Sequence, residues 1–175
     1  MTPHVVSKSE VSAAQLVQLS GRASELAGAY LAAARETLQA LIHDPHLLDG
    51  VELERRPGGY ARTLLFGDET MSVWAIVWSP GSATCIHDHH CSCCFAVLSG
   101  AVTETWFRAV DGERVEPHQE AVREVGYVAA MLPTGPNVHQ MRNDGSAEAI
   151  SIHIYGFDHR RCESSIQRVY ALAPS

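Results

Sequence analysis

The spacing of apolar side chains changes once along the chain, close to residue 51. Over 11–19 and 23–42, apolar residues recur at steps of three and four in a background rich in Ala, Leu, Gln and Glu. This period predicts two helices, separated at Ser20-Gly21 and ended by Asp44-Pro45. The first 50 residues are therefore predicted to form a helical N-terminal part.

After residue 51, short segments rich in Val, Ile, Thr and aromatic residues are separated by Gly, Pro, Asn or Asp. Such segments are typical of antiparallel strands that close into a barrel or jelly roll. The expected fold class is mainly β, in one domain of residues 1–175, with the helices packed on one side of a barrel over 51–158. The segment 159–175 has a mixed pattern. The predicted strands span 60–66, 71–78, 94–98, 101–108, 120–123, 127–132, 138–142 and 148–155.

Composition narrows the range of functions. The 175 residues are 46% hydrophobic and 19% charged, with a net charge of −7 and no dense run of Lys or Arg. A nucleic-acid partner is not expected, because phosphate binding needs a basic surface. The N-terminus has no signal-peptide pattern, and no segment is apolar over the length of a bilayer. We therefore expect a cytoplasmic protein, most simply a monomer, with no membrane partner.

Five cysteines are unevenly distributed, and three of them stand in Cys91-Ser92-Cys93-Cys94 beside a histidine-rich run. An odd number of cysteines in a cytoplasmic chain argues against a disulfide framework. Free cysteines are often small buried apolar residues, and the sequence assigns no role to Cys85, Cys91, Cys93 or Cys162.

Histidines at two positions indicate a metal site. His87 and His89 are two residues apart, so in an extended chain both side chains point to the same face. His139 follows a Pro-Thr-Gly-Pro turn and opens another predicted strand, which makes it the best third ligand. Imidazole nitrogens suit Fe(II), Zn(II), Ni(II) and Cu(II). Surface histidines in loops are the simpler alternative, but the matching Gly- and Pro-rich turns favour the metal site.

The surrounding residues resemble the two motifs of the cupin superfamily. The segment from Gly81 to Gly100 is similar to the first motif, and the segment from Gly126 to Asn143 to the second. Most cupins carry a Glu ligand after the His-x-His pair, whereas this chain has no acid between His89 and Gly100. This departure resembles the thiol dioxygenases, and cysteine dioxygenase in particular. The further matching segments are Ile86–His89, Ser92–Phe95, Glu104-Thr105 and Ser151-x-His153-x-Tyr155.

The resemblance implies a set of roles. One Fe(II) ion per chain would be held by His87, His89 and His139, and the substrates would be a small thiol and O2. Arg62, in a Tyr-x-Arg element with Tyr60, would bind the substrate carboxylate. Tyr155 would lie near the iron, oriented by Ser151 and His153, and Cys94 would be cross-linked to Tyr155 as a thioether.

Three neutral imidazoles suit thiol chemistry for an electrostatic reason. They leave the full double-positive charge on the ion, whereas a carboxylate ligand would neutralise half of it. The remaining charge favours an anionic ligand and lowers the pKa of a coordinated thiol. Three facial ligands also leave positions open for the substrate and O2. The expected reaction converts L-cysteine and O2 to cysteine sulfinate.

Two alternatives stay open. The closer one is a dioxygenase of 3-mercaptopropionate or a related thiol acid. Gly156-Phe157 departs from the usual sequence of the cysteine-acting group, and Arg160 and Arg161 offer another carboxylate clamp. The second is a non-catalytic cupin that binds a metal or a small ligand, for example through a closed zinc site of cysteines and histidines.

Overall fold

One long helix precedes the barrel. The computed structural model describes residues 12–133 and 137–174, and its helix α1 spans Ala13–Leu41 without interruption. Ser12 caps the helix reciprocally with Gln15, in the arrangement known as a capping box. The predicted break at Ser20-Gly21 is therefore wrong. A glycine inside a helix costs about 1 kcal/mol relative to alanine, and the helix-forming residues on both sides outweigh that cost.

Within the described residues, ten strands follow the helix and form two sheets. The strands are β1 (Tyr60–Gly67), β2 (Ser72–Trp78), β3 (Ile86–His89), β4 (Cys93–Ser99), β5 (Ala101–Ala109), β6 (Arg114–Glu124), β7 (Val128–Met131), β8 (His139–Arg142), β9 (Ala149–Tyr155) and β10 (Ile166–Leu172). The first sheet has the order β1-β2-β9-β4-β7, and in the second, β10-β3-β8-β5-β6, a parallel pairing of β6 with β10 closes the ring. The other pairings are antiparallel, so the predicted mainly β, jelly-roll class is confirmed.

Seven of the eight predicted strands agree with observed strands to within one residue at each end, and the eighth, 120–123, is the last part of the longer β6. Two strands, β3 and β10, were not predicted as such. The predicted turn at 134–136 and residue 11 of the first predicted helix lie outside the described residues.

The first sheet is buried on both faces. One face packs against α1, where Ala34 and Leu38 meet Cys94 and Ile152. The opposite face, which includes Trp78, Phe95 and Val97, packs against Val102 and Met141 from the second sheet. Side chains that alternate along β4 and β9 therefore divide between the helix side and the barrel interior. Among the described residues, no helix has the length and apolarity needed to cross a membrane.

Candidate metal centre

Three buried histidines meet inside the barrel. His87 and His89 occupy alternate positions of β3, and β8 places His139 directly opposite His87. Strand alternation puts the first two imidazoles on the same face, and the pairing of β3 with β8 brings the third to them. All three side chains are buried, with relative exposures between 2% and 5%. The structure thus brings the three predicted ligands together.

The ring nitrogens converge on one point. One ligand atom from each histidine lies within 4.8 Å of the other two. The Nε2 atoms of His89 and His139 are 3.0 Å apart, and the ring centroids are separated by 4.9 to 5.1 Å. Within 12–133 and 137–174, no cysteine or carboxylate belongs to this group. Three nitrogen ligands that leave the other side open are typical of catalytic rather than closed structural sites.

Each histidine is held from behind through its Nδ1 atom. The carbonyl oxygen of Cys85 lies 2.9 Å from Nδ1 of His87, the Ser165 hydroxyl 3.2 Å from that of His89, and Glu104 Oε1 3.0 Å from that of His139. A carbonyl or carboxylate oxygen can only accept, so Nδ1 carries the proton in His87 and His139. The Nε2 lone pairs of these two rings are therefore free for a metal ion.

Burial keeps the imidazoles of His87 and His89 neutral. Burial and the neighbouring His139 lower the pKa of His87 to about 4. The same two causes, joined by His87, lower the pKa of His89 to about 2. Neutral rings are the form that binds a metal, so these two ligands need not lose a proton at neutral pH.

A hydrogen-bonded chain of side chains runs along β9 to the same place. Trp78 Nε1 donates to Ser151 Oγ at 2.8 Å, Ser151 Oγ lies 2.8 Å from His153 Nε2, and Tyr155 Oη lies 3.1 Å from His153 Nδ1. Because Trp78 can only donate, the Ser151 proton is available to His153 Nε2. His153 Nδ1–H then donates to Tyr155, whose own O–H is left for the cavity.

The structure places Cys94 away from this site. Cys94 is fully buried in the cluster beneath α1, on the helix side of the first sheet. Its neighbour Cys93 pairs with Tyr155 across β4 and β9, belongs to the same apolar cluster as Tyr155, and lines the cavity. Adjacent residues of a strand point to opposite faces, so the prediction of Cys94 beside Tyr155 is corrected to Cys93.

A cavity of about 40 Å3 lies over the three histidines. A single water molecule needs roughly 10–15 Å3 of such space, so the cavity admits only small molecules. Tyr60 and Arg62 on β1 line it. Arg62 lies over the Trp74 ring at 5.3 Å and donates one hydrogen bond to the Glu163 carbonyl at 3.0 Å. Its guanidinium retains other N–H groups for a ligand.

The loop between β9 and β10 forms one wall of the cavity, which the sequence did not predict. Ser164 and Ser165 line the cavity, and Ser165 contacts His89. His90 fastens this loop: its backbone N–H donates to the Ser165 carbonyl and its Nε2 to the Ser164 carbonyl. No pattern in the sequence of the loop indicated a place at the site.

The chain matches a family model and is similar to several solved structures. The family model described as cysteine dioxygenase type I matches residues 53–168. The chain is similar to an uncharacterised protein with a double-stranded β-helix domain from Klebsiella pneumoniae, at 18% identity over 59% of this chain and 82% of that one, with a TM-score of 0.48. It is also similar to a sugar phosphate isomerase of the cupin superfamily from Silicibacter pomeroyi, at 22% identity over 62% and 73%, with a TM-score of 0.49.

Proposed function

Because the chain belongs to the cysteine dioxygenase type I family, whose model covers well over half of its residues, we propose that it is an iron(II)-dependent thiol dioxygenase. The proposed reaction converts L-cysteine and O2 to cysteine sulfinate. The observation that carries the proposal is the cluster of His87, His89 and His139 at the base of a small cavity, which among the described residues includes no carboxylate ligand.

The three histidines fit an Fe(II) ion. Imidazole is a suitable ligand for Fe(II), and backbone and side-chain acceptors already direct Nε2 of His87 and His139 toward one point. A bound ferrous ion would supply the activation of O2 and the acidity that converts a thiol to its thiolate. The neutral ligands favour this, because they leave the charge of the ion undiminished.

Arg62 is the proposed partner of the substrate carboxylate. It lines the cavity that holds the histidines, and its side chain is already fixed by Trp74 and by the Glu163 carbonyl. A planar guanidinium can donate two parallel hydrogen bonds to a carboxylate. The Tyr60 hydroxyl, next along the same face of β1, is the second proposed polar contact.

Tyr155 is the proposed hydrogen-bond donor to the bound reactants. Burial and the neighbouring Cys93 raise the pKa of the Tyr155 phenol well above its usual value, so the hydroxyl stays protonated. His153 donates to the Tyr155 oxygen and thereby directs its O–H toward the cavity. Trp78, Ser151 and His153 would act as positioning residues. We also propose a thioether between Cys93 and Tyr155, which the pairing of β4 with β9 favours.

A 3-mercaptopropionate dioxygenase is the closest alternative. Arg160 and Arg161, which the sequence offers as another carboxylate clamp, do not support it. Both form ion pairs with Asp158 and are not among the residues that line the cavity. Arg62 could bind the carboxylate of either thiol. The cavity thus favours a thiol acid, and the choice between the two rests on kinetics.

The alternative of a closed zinc site has less support. Such a site needs four protein ligands. Within the described part of the chain, the cysteines Cys91, Cys93 and Cys94 do not join the histidine group. An Fe(II) complex with open positions and a filled zinc complex also differ in the number of bound water molecules.

Oxygen consumption with a panel of thiols tests the proposal directly. The purified protein, loaded anaerobically with Fe(II), would be given cysteine, 3-mercaptopropionate and cysteamine in air. We expect fastest turnover with cysteine and sulfinate as the product by mass spectrometry. Absence of oxygen uptake with every thiol would reject the dioxygenase proposal, and faster turnover of 3-mercaptopropionate would favour the alternative substrate.

Arg62→Met tests the carboxylate contact. Loss of a charge-assisted pair worth about 1.5–3 kcal/mol should lower kcat/KM for cysteine by roughly 10- to 100-fold. Cysteamine has no carboxylate, so its much weaker turnover should change little. Arg160→Met, which removes an arginine paired with Asp158 away from the cavity, is the matched control. An equal loss with both thiols would contradict the assignment.

A further inference from the structure

A buried carboxylate stands between one metal ligand and an arginine. Glu104 lies on β5 with no exposed surface. Its Oε1 accepts the hydrogen bond from His139 Nδ1 at 3.0 Å, and its Oε2 accepts one from Arg123 Nε at 2.9 Å. Arg123 is on the neighbouring strand β6, and its side chain is only 17% exposed. Both carboxylate oxygens thus accept a hydrogen bond, one from the His139 Nδ1–H and one from the Arg123 guanidinium.

This arrangement distinguishes His139 from the other two ligands. His87 is held by the Cys85 carbonyl and His89 by the Ser165 hydroxyl, and both of these groups are uncharged. In the region the structure describes, Glu104 is the one carboxylate hydrogen-bonded to a ligand of the site. A carboxylate behind a ligating imidazole fixes its tautomer and orientation and makes it a stronger electron donor.

Stronger electron donation by His139 also has an unfavourable effect on thiol chemistry at this site. Negative charge transmitted to the ion reduces the positive charge that would deprotonate a thiol. Arg123 opposes that transfer, because its guanidinium draws the Glu104 charge toward the second oxygen. The guanidinium is held in place, since it also lies over the Tyr127 ring at 4.3 Å from the centroid.

We propose that Glu104 and Arg123 form a charge-balanced positioning pair that acts on the metal ion through His139. Glu104 orients the ligand and strengthens metal binding, and Arg123 limits how much negative charge reaches the ion. The two residues therefore have opposed effects on the reduction potential of bound iron. The inference rests on the proposed function only in taking iron as the metal.

Variants of each partner test the proposal. Fe(II) affinity would be measured anaerobically by competition with a chelator, and the Fe(III)/Fe(II) reduction potential by redox titration. Glu104→Gln should weaken Fe(II) binding by about 10- to 100-fold, the usual effect of losing such a partner, and raise the reduction potential. Arg123→Met should lower the potential, because an uncompensated carboxylate stabilises Fe(III).

The opposed signs separate this role from a merely structural one, since local disorder would shift both variants in the same direction. Arg123→Lys keeps the charge and should restore most of the wild-type potential. Arg108→Met removes an exposed arginine paired with Glu116 on the same two strands and should change neither quantity.

The proposal would be overturned if the reduction potential moves in the same direction in Glu104→Gln and Arg123→Met. It would also be overturned if both variants keep the potential of the Arg108→Met control. If Glu104→Gln does not fold, a potential in Arg123→Met that is unchanged or raised is sufficient to reject it. If the reduction potentials of the two variants shift in opposite directions but the protein oxidises no thiol, the role of Glu104 and Arg123 stands and only the dioxygenase function is rejected.

Discussion

At the scale of single residues, one position of sequence decides which cysteine faces the site. Cys93 and Cys94 have the same chemistry, and the family motif, counted forward from His89, predicts Cys94. Counted back from Gly100, which ends β4 at a positive-φ turn, the inward-facing positions are instead Val97, Phe95 and Cys93. The sequence identified the residue type, but the face depends on strand register, which pairing with β9 sets.

Cys93→Ser and Cys94→Ser form a matched pair that tests the proposed cross-link. Joining the thiol to the Tyr155 ring removes two hydrogen atoms, so intact protein turned over with thiol in air should lose that mass and gain a faster gel band. Cys93→Ser should abolish both signals, and Cys94→Ser should retain them. If Cys93→Ser retains the mass loss and the faster gel band while Cys94→Ser loses them, the cross-link involves Cys94, as the sequence predicts, and not Cys93.

His153 makes stability depend on pH. Burial, with the neighbouring His139 and Arg62, lowers the pKa of His153 to about 3. Below pH 6.5 this histidine becomes protonated in the unfolded chain but stays neutral in the folded protein, so acid favours unfolding. Between pH 7.5 and pH 5 the loss from this residue is about 2 kcal/mol, from the usual histidine pKa of about 6.5.

His153→Gln should remove that part of the pH dependence. Urea unfolding of metal-free protein at pH 7.5 and pH 5 would give the free energy of unfolding for both forms. The loss on acidification should be about 2 kcal/mol smaller in the variant. If the loss of unfolding free energy between pH 7.5 and pH 5 is the same in the variant, His153 is protonated in the folded protein. His118→Gln, on the outer face of β6, is the control.

At the scale of elements, the strands that the sequence does not predict are those whose strand conformation depends on hydrogen bonding to neighbouring strands. β3 is four residues long and contains two histidines and an aspartate, so its composition carries little strand signal. Its pairing with β8 and β10 makes it a strand. The first half of β6 contains Pro117, which argues against a strand; the structure accommodates this proline where the register shifts opposite Trp106 and Phe107.

Helix α1 is held by a small part of its length. Only Ala34 and Leu38 of this helix are fully buried, and its first half is exposed. Leu38→Ala should lower the free energy of unfolding by about 2–5 kcal/mol, because it leaves a cavity against Cys94 and Ile152. Leu26→Ala, at a position that is 66% exposed, should change it by less than about 0.5 kcal/mol. Equal effects in urea unfolding would contradict the observed packing of the helix.

At the scale of the whole molecule, the sequence predicted more of the site than of its surroundings. The sequence singles out the three histidines, Arg62 and the Ser151–His153–Tyr155 chain because period-two alternation and the family motifs both apply inside strands, and the structure brings these residues together. Glu104 as a partner of His139, Trp78 as a donor, and the wall formed by Ser164 and Ser165 depend on contacts between distant segments. A cytoplasmic location and a monomeric state stay predictions.

The metal ion should stabilise the entire fold, because its ligands come from two strands within the closed ring. His87 and His89 are on β3 and His139 is on β8. Binding to the folded state alone adds about 2.7 kcal/mol when free metal is at 100 times its Kd. In a chain of 175 residues this corresponds to a rise in Tm of about 5–10 °C, measured by calorimetry with and without a chelator. His139→Ala should lose most of this metal-dependent rise, whereas His90→Ala, beside the site but outside the ligand set, should retain it. A rise that survives in His139→Ala would show that metal stabilises the protein at another place.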